Sequence, residues 1–154
     1  MKELTEYRKN LLQRLSAAAQ DFRAACGSVR EVYQPVEGGW NVHQLAAHTR
    51  DVDKLVYGLR ARRTVMEENP LFENFEAETY HAAHYDPGEP LDKILDEFTS
   101  SVDEWVKWLG TLPVEAWSRE SRHATQGGSF AMQTWVERGL AHIEEHLASV
   151  RKAR

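Results

Sequence analysis

The chain has 154 residues, 42% of them hydrophobic and 28% charged, with a net charge of −5 at pH 7. These values are typical of a globular protein, so we expect a single domain over residues 1–154. Acidic and basic residues are interspersed, which argues against a nucleic-acid or membrane-surface partner. With Cys26 as the only cysteine, no intramolecular disulfide can form, and we expect this thiol to be buried. No leader-like or membrane-spanning apolar segment is apparent, which predicts a cytoplasmic protein.

Four segments show the apolar periodicity of amphipathic helices, and none shows the alternation expected of a strand. The predicted helices cover about residues 4–26, 41–66, 90–110 and 129–151. Asn41 and Gln44 form a capping-box pattern at the start of the second helix, and Ser129 is the candidate cap of the fourth. We therefore predict an all-α four-helix bundle.

The links between these helices are informative because two of them are long. About twenty residues separate the second and third helices, which is enough for the chain to return along the bundle and start a parallel helix. The link between the third and fourth helices is also long. Long ordered links in small domains are often functional, so we expect both to cover a site.

The fourth helix contains two histidines, His142 and His146, four residues apart. This spacing places both rings on one helix face, within reach of one metal ion. The segment does not match the H-E-x-x-H motif of metalloproteases, because Ile143 occupies the second position. Gly139, one turn before His142, either leaves room there or permits close helix packing.

The second helix places His48 in its apolar stripe, between Leu45 and Val52. A buried imidazole needs a polar partner, and one ion shared with His142 and His146 would satisfy all three rings. Three histidines are also the ligand set of some catalytic zinc sites, which keep one position open. The alternative is three core histidines that are hydrogen-bonded within the protein. Tyr57 and Asp51 are candidate supporting groups, although Asp51 more often is a surface charge.

Four further histidines carry weaker signals. His43 lies in the first turn of the second helix, where we expect it to be exposed. His81 and His84 could form a second pair or line a pocket mouth, but a solvated loop is the preferred interpretation. His123 falls in a polar loop and fits no pattern.

Two motifs together resemble those of the DinB/YfiT-like superfamily of metal-binding four-helix bundles. One is the tryptophan-led helix start Gly39-Trp40-Asn41-Val42-His43-Gln44-Leu45-Ala46-Ala47-His48, and the other is Ala141-His142-Ile143-Glu144-Glu145-His146-Leu147. The resemblance implies an up-down-down-up topology, frequent dimer formation and metal ligation by His48, His142 and His146. Relatives include bacterial thiol S-transferases and the metal-binding domain of mycothiol-dependent maleylpyruvate isomerases.

These observations predict a divalent-metal-binding protein, and a thiol-dependent S-transferase acting on small electrophiles is the preferred function. The alternatives are a metal-dependent hydrolase, with Glu144 or Glu145 as a candidate base, and a non-enzymatic dimeric module that binds a metal or small ligand. We expect one Zn or Ni ion, with Fe or Mn as alternatives, a small thiol or other small substrate, and a homodimer. Unperturbed histidines titrate near ~6.5, so metal affinity should fall below about pH 6.

Overall fold

The computed structural model describes residues 2–36 and 39–153 and is a four-helix bundle. The helices are α1 (Lys2–Gly27), α2 (Val42–Val52), α3 (Leu59–Met66), α4 (Ala77–His84), α5 (Leu91–Gly110) and α6 (Met132–Arg151). A π-helical turn, Asp53–Gly58, joins α2 to α3 in one continuous helix. This helix and α1, α5 and α6 form the bundle in the predicted up-down-down-up order.

The core lies where the apolar stripes of the four long helices meet. Phe22 of α1 and Phe98 of α5 pack edge to face, with ring centroids 5.4 Å apart. Trp105 and Trp135 are also fully buried. Each large apolar side chain removed from water contributes about 1.5–3 kcal/mol, so the stripes that predict the helices also hold the bundle together. Cys26 is buried as predicted, and burial raises the pKa of its thiol to about 12.

The two helices that carry the histidines, α2 and α6, have different N-terminal caps. At α2, the predicted capping box is confirmed: Asn41 Oδ1 accepts from the Gln44 N–H at 2.8 Å, and Gln44 Oε1 accepts from the Asn41 N–H at 2.9 Å. The predicted Ser129 cap of α6 is wrong. The N-cap residue is Ala131, and the free N–H of Met132 instead donates to the Arg119 carbonyl at 2.8 Å.

The two long links also contain short strands, although no segment of the sequence shows strand alternation. Strands β1 (Leu71–Phe72), β2 (Glu120–His123) and β3 (Phe130–Ala131) form a small sheet in the order β1-β2-β3. β1 pairs parallel to β2, with Phe72 opposite His123, and β2 pairs antiparallel to β3. β1 and β3 have only two residues each, and β2 has no apolar residue whose alternation could be recognised in the sequence. The sheet ties the two long links together.

The π-helical turn interrupts a helix that the periodicity predicts to be regular. Turns of this kind insert an extra residue and are frequent at functional sites. Here Tyr57 lies against α6 at Gly139. A Cβ atom at Gly139 would be 3.1 Å from Tyr57 Cβ and 3.3 Å from Trp105 Cη2. Close packing, and not spare room, therefore explains this glycine.

No helix in the described part of the chain combines the length and hydropathy needed to cross a membrane.

Candidate metal centre

Three histidines from two helices converge at one point of the bundle. His142 Nε2 of α6 lies 3.1 Å from His48 Nε2 of α2 and 3.0 Å from His146 Nε2. The ligand nitrogens of the three all lie within 4.8 Å of one another. Within residues 2–36 and 39–153, this is the only group of three or more histidine, cysteine or acidic side chains with metal-site spacing. The structure thus brings together the three residues that the sequence singles out.

Local structure explains how each ring reaches this point. His142 and His146 are separated by one turn of α6, so their rings lie on the same side, with centroids 4.4 Å apart. His48 lies on the α2 face that includes Leu45 and Val52, each 6% exposed. The Trp40 ring meets the His48 ring edge to face at 5.1 Å. The tryptophan before the helix therefore helps to orient a ring inside the helix.

The hydrogen-bond donors and acceptors of these three imidazoles do not match one another, which favours a bound cation. A neutral imidazole nitrogen either donates one hydrogen bond or accepts one. His142 Nε2 faces two nitrogens at hydrogen-bond distance, so one proton cannot satisfy both contacts well. A divalent ion would accept a lone pair from every ring. Nitrogen ligands at about 2.0–2.1 Å from a tetrahedral Zn ion lie about 3.3 Å apart, close to the two separations of 3.0 and 3.1 Å that His142 Nε2 makes. The residues present therefore fit a metal ion.

Electrostatics keeps these rings in the form that binds metal. Burial, with a smaller contribution from the charges of neighbouring histidines, lowers the pKa of His142 to about 3 and that of His48 to about 4. Burial also lowers the pKa of His146, although Glu145 opposes this shift. All three imidazoles are therefore neutral at pH 7, as ligation requires. Within the described chain, His142 Nδ1 is buried without a hydrogen-bond partner.

A cavity of about 280 Å³ adjoins His48 and His142. Its polar wall includes Tyr57, Arg60 and His123, and the Tyr57 ring lies 5.6 Å from the His142 ring. The remaining lining residues are Val52, Val56, Asn74, Phe75, Ala77 and Gln126. Residues 74–77 belong to one long link and residues 123–126 to the other. The expectation that both links cover the site is confirmed.

The environments predicted for His43 and His81 are wrong. His43 is 1% exposed, not solvated: Nδ1 lies 2.7 Å from the Tyr85 hydroxyl and Nε2 lies 2.6 Å from the Glu89 carbonyl oxygen. The link that follows α3 returns over this turn of α2, which no local pattern reveals. His81 is in α4 and 7% exposed, with its ring stacked between Trp40 at 4.4 Å and Tyr85 at 4.6 Å.

His84 and His123 also differ from their predicted settings. His84 is exposed, as expected, but it ends helix α4 and is not in a loop. It does not join His81 in a metal-type cluster among the described residues. His123 ends β2 and is 7% exposed; its Nδ1 accepts from the N–H groups of Thr125 and Gln126 at 3.1 and 3.2 Å. This arrangement leaves the proton of the neutral ring on Nε2.

The remaining candidate groups lie away from the cavity. Glu144 forms an ion pair with Arg14 at 3.0 Å, and Glu145 is exposed. Asp51 forms an ion pair with Arg50 at 3.0 Å beside a separate groove between α2 and α5. None of the three lines the cavity next to the histidines. Of the predicted supporting groups, only Tyr57 does.

Comparison with known proteins agrees with the motifs. The family model of the DinB superfamily matches residues 3–150. The chain belongs to the DinB superfamily. A comparison with curated proteins finds no match. Among solved structures, this DinB-superfamily chain is similar to YfiT from Bacillus subtilis, which is described as a probable metal-dependent hydrolase with an unusual four-helix bundle topology.

The likeness to YfiT has a TM-score of 0.86 and covers 96% of this chain and 86% of that one. Sequence identity is 18%, so the likeness establishes a shared fold and not a shared reaction. Together, the fold and the histidine group support a DinB-like bundle with three histidines able to bind a metal ion.

Proposed function

We propose that this protein is a metal-dependent hydrolase of small substrates, in which His48, His142 and His146 hold one divalent ion. The observation that carries the proposal is the convergence of three neutral imidazole nitrogens beside a cavity. The description of YfiT as a probable metal-dependent hydrolase adds support. Zn or Ni is the expected ion, with Fe or Mn as alternatives.

When bound, such an ion supplies a Lewis acid that lowers the pKa of a water or thiol in its open position. The protein's own groups would hold the substrate. Burial raises the pKa of the Tyr57 hydroxyl, so that it remains a hydrogen-bond donor at pH 7. His123 presents its Nε2–H, because Nδ1 is occupied by backbone donors. Both groups line the cavity and would donate to a substrate oxygen that gains negative charge.

A second candidate is the thiol-dependent S-transferase expected from the sequence, with a small-molecule thiol as partner. One observation favours it: the described residues that line the cavity include no carboxylate to act as a general base. A thiol has a pKa near ~8.5, whereas that of bulk water is about 15.7. A thiol would therefore lose its proton with less help from a base.

The test is reconstitution of the chelator-treated protein with Zn, Ni, Fe or Mn. Each form is supplied with small esters and amides, and with electrophiles, in the presence and absence of low-molecular-weight thiols. Metal-dependent turnover without thiol would support the hydrolase, and turnover only with thiol would support the transferase. Failure of the purified protein to bind any of the four ions would overturn both.

A matched histidine control separates ligation from general loss of structure. His142→Ala should lose metal and turnover, whereas His84→Ala, at an exposed helix end, should keep both. We also propose a homodimer, on the family resemblance alone. Sedimentation velocity measurements of the wild-type protein test this, and a monomer at all concentrations would contradict it.

A further inference from the structure

Arg60 is a buried cation without an anionic partner in the part of the chain that the structure describes. Arg60 is 8% exposed, and one of its guanidinium N–H groups donates to the Glu73 carbonyl at 3.1 Å. No carboxylate among the described residues forms an ion pair with it. A guanidinium has five N–H donors, and a buried charge is normally paired. The remaining donors are thus available to a ligand.

The surroundings of Arg60 are positive and aromatic. Its guanidinium lies 4.8 Å from the centroid of Trp135 and 5.6 Å from that of Phe72. Arg138 lies over the same Trp135 ring at 5.5 Å and donates to Gln126 Oε1 at 3.0 Å. Aromatic faces partly stabilise a cation, but they do not neutralise it. This corner of the protein therefore attracts anions.

In the separate groove between α2 and α5, carboxylates of the protein neutralise an arginine. There Arg50 pairs with Asp51 at 3.0 Å and with Glu89 at 2.8 Å. The groove also contains Glu97 and Glu104. The described lining of the histidine cavity contains Arg60 and no carboxylate. The two arginines thus differ in whether the protein supplies the counter-ion.

We propose that the cavity binds a small substrate that carries an oxyanion, a carboxylate in the first instance, and that Arg60 holds this group. The inference rests on the proposed function and names its substrate class. Arg60, His48 and His142 line one cavity of about 280 Å³, near the lower limit of ligand pockets. Bidentate pairing of guanidinium with carboxylate or phosphate is a strong, directional contact. It would orient the other end of a small molecule toward the histidines.

The test measures anion binding by the full chain after chelator treatment, so that no anion can bind at a metal. Propionate, its neutral analogue propionamide, and inorganic phosphate are titrated while ¹H–¹⁵N spectra follow the Arg60 Nε–H signal. Propionate should shift this signal saturably, and propionamide should not. If phosphate binds at least tenfold more tightly than propionate, the proposed substrate class narrows to phosphate esters. If neither anion shifts the signal, the proposal is overturned.

Two methionine variants on the same helix supply the matched comparison. Arg60→Met should weaken propionate binding at least tenfold. Arg62→Met should leave it unchanged, because Arg62 lies over Trp108 at 5.3 Å and outside the cavity lining. Equal binding by the wild type and Arg60→Met would contradict the proposal and identify Arg60 as a structural cation. If Arg60→Met does not fold, the wild-type Nε–H titration still decides.

Because these measurements use metal-free protein, they do not depend on turnover. Anion binding at Arg60 without any metal-dependent hydrolysis would overturn the proposed function and retain the anion site. Hydrolysis that prefers neutral substrates, with no anion binding at Arg60, would do the opposite.

Discussion

His43 and His48 lie five residues apart on α2, and they illustrate two uses of a histidine in a helical core. Both nitrogens of His43 have protein partners, the Tyr85 hydroxyl and the Glu89 carbonyl. His48 Nε2 faces the nitrogen of His142, which is itself shared with His146. Burial alone therefore does not identify a metal ligand. These two histidines differ in whether the protein itself completes the hydrogen bonding of the ring and in whether further imidazole nitrogens converge on it.

The largest expected effect comes from removing the central histidine. His142→Ala should reduce metal affinity by more than about 100-fold, since loss of even an indirect supporting group typically reduces it 10–100-fold. Metal content after dialysis, measured by elemental analysis, checks this. His43→Ala is the matched control and should keep about one ion per chain. Full metal occupancy in His142→Ala would contradict the distinction between a metal-ligating histidine and a hydrogen-bonded core histidine.

The pH dependence follows from the lowered pKa values. Folded His48 and His142 titrate at about 4 and about 3, whereas unfolded histidines titrate near ~6.5. The unfolded chain therefore binds more protons at intermediate pH. The stability that His48 and His142 contribute to the metal-free protein should be fully present above about pH 6.5 and be lost progressively as pH falls toward about 3.

Metal affinity should show a related dependence on pH. The sequence predicts loss of affinity below about pH 6, but in the folded protein the pKa of His48 is about 4 and that of His142 is about 3, which moves the expected loss to lower pH. Melting temperatures with and without Zn at pH 7.5, 5.5 and 4 measure this. Zn should still stabilise the protein at pH 5.5 and have little effect at pH 4. A metal-free His48→Ala, His142→Ala double variant should show a flatter pH dependence of stability; an unchanged profile would contradict the assignment.

His43→Ala should destabilise the fold while leaving the metal centre intact. It removes a fully buried ring and leaves the Glu89 carbonyl and Tyr85 hydroxyl without their partner. Together these losses should reduce the free energy of unfolding by about 2–4 kcal/mol. Urea unfolding of the metal-free protein measures it. A stability within error of the wild type would show that His43 is not a structural histidine.

Tyr85→Phe is the mildest of these changes. It removes the hydroxyl that contacts His43 Nδ1 at 2.7 Å and keeps the ring that stacks on His81. We expect a loss of about 1 kcal/mol in the free energy of unfolding and no change in metal content. Tyr80→Phe, in the same link, serves as control. A drop in metal content in Tyr85→Phe would show that the two histidine environments are coupled.

Local sequence determined the helices and the identity of the candidate ligands. The apolar periodicity predicted the four helices of the bundle, and the Asn41 capping box predicted where α2 begins. The four-residue spacing of His142 and His146 placed both rings on one face of α6. These features depend on residues within one or two turns of each other, and such short-range geometry can be read from the chain.

Tertiary structure decided the environment of every group around those ligands. His43 is buried by residues more than forty positions away, and His123 lies beside Phe72 only because two short strands pair. Arg60 shares a cavity with His48 and His142 because two links fold over the same part of the bundle. Such contacts join segments far apart in sequence and leave no periodic pattern. Only the packed structure could therefore show which buried polar groups have protein partners and which remain available to a ligand.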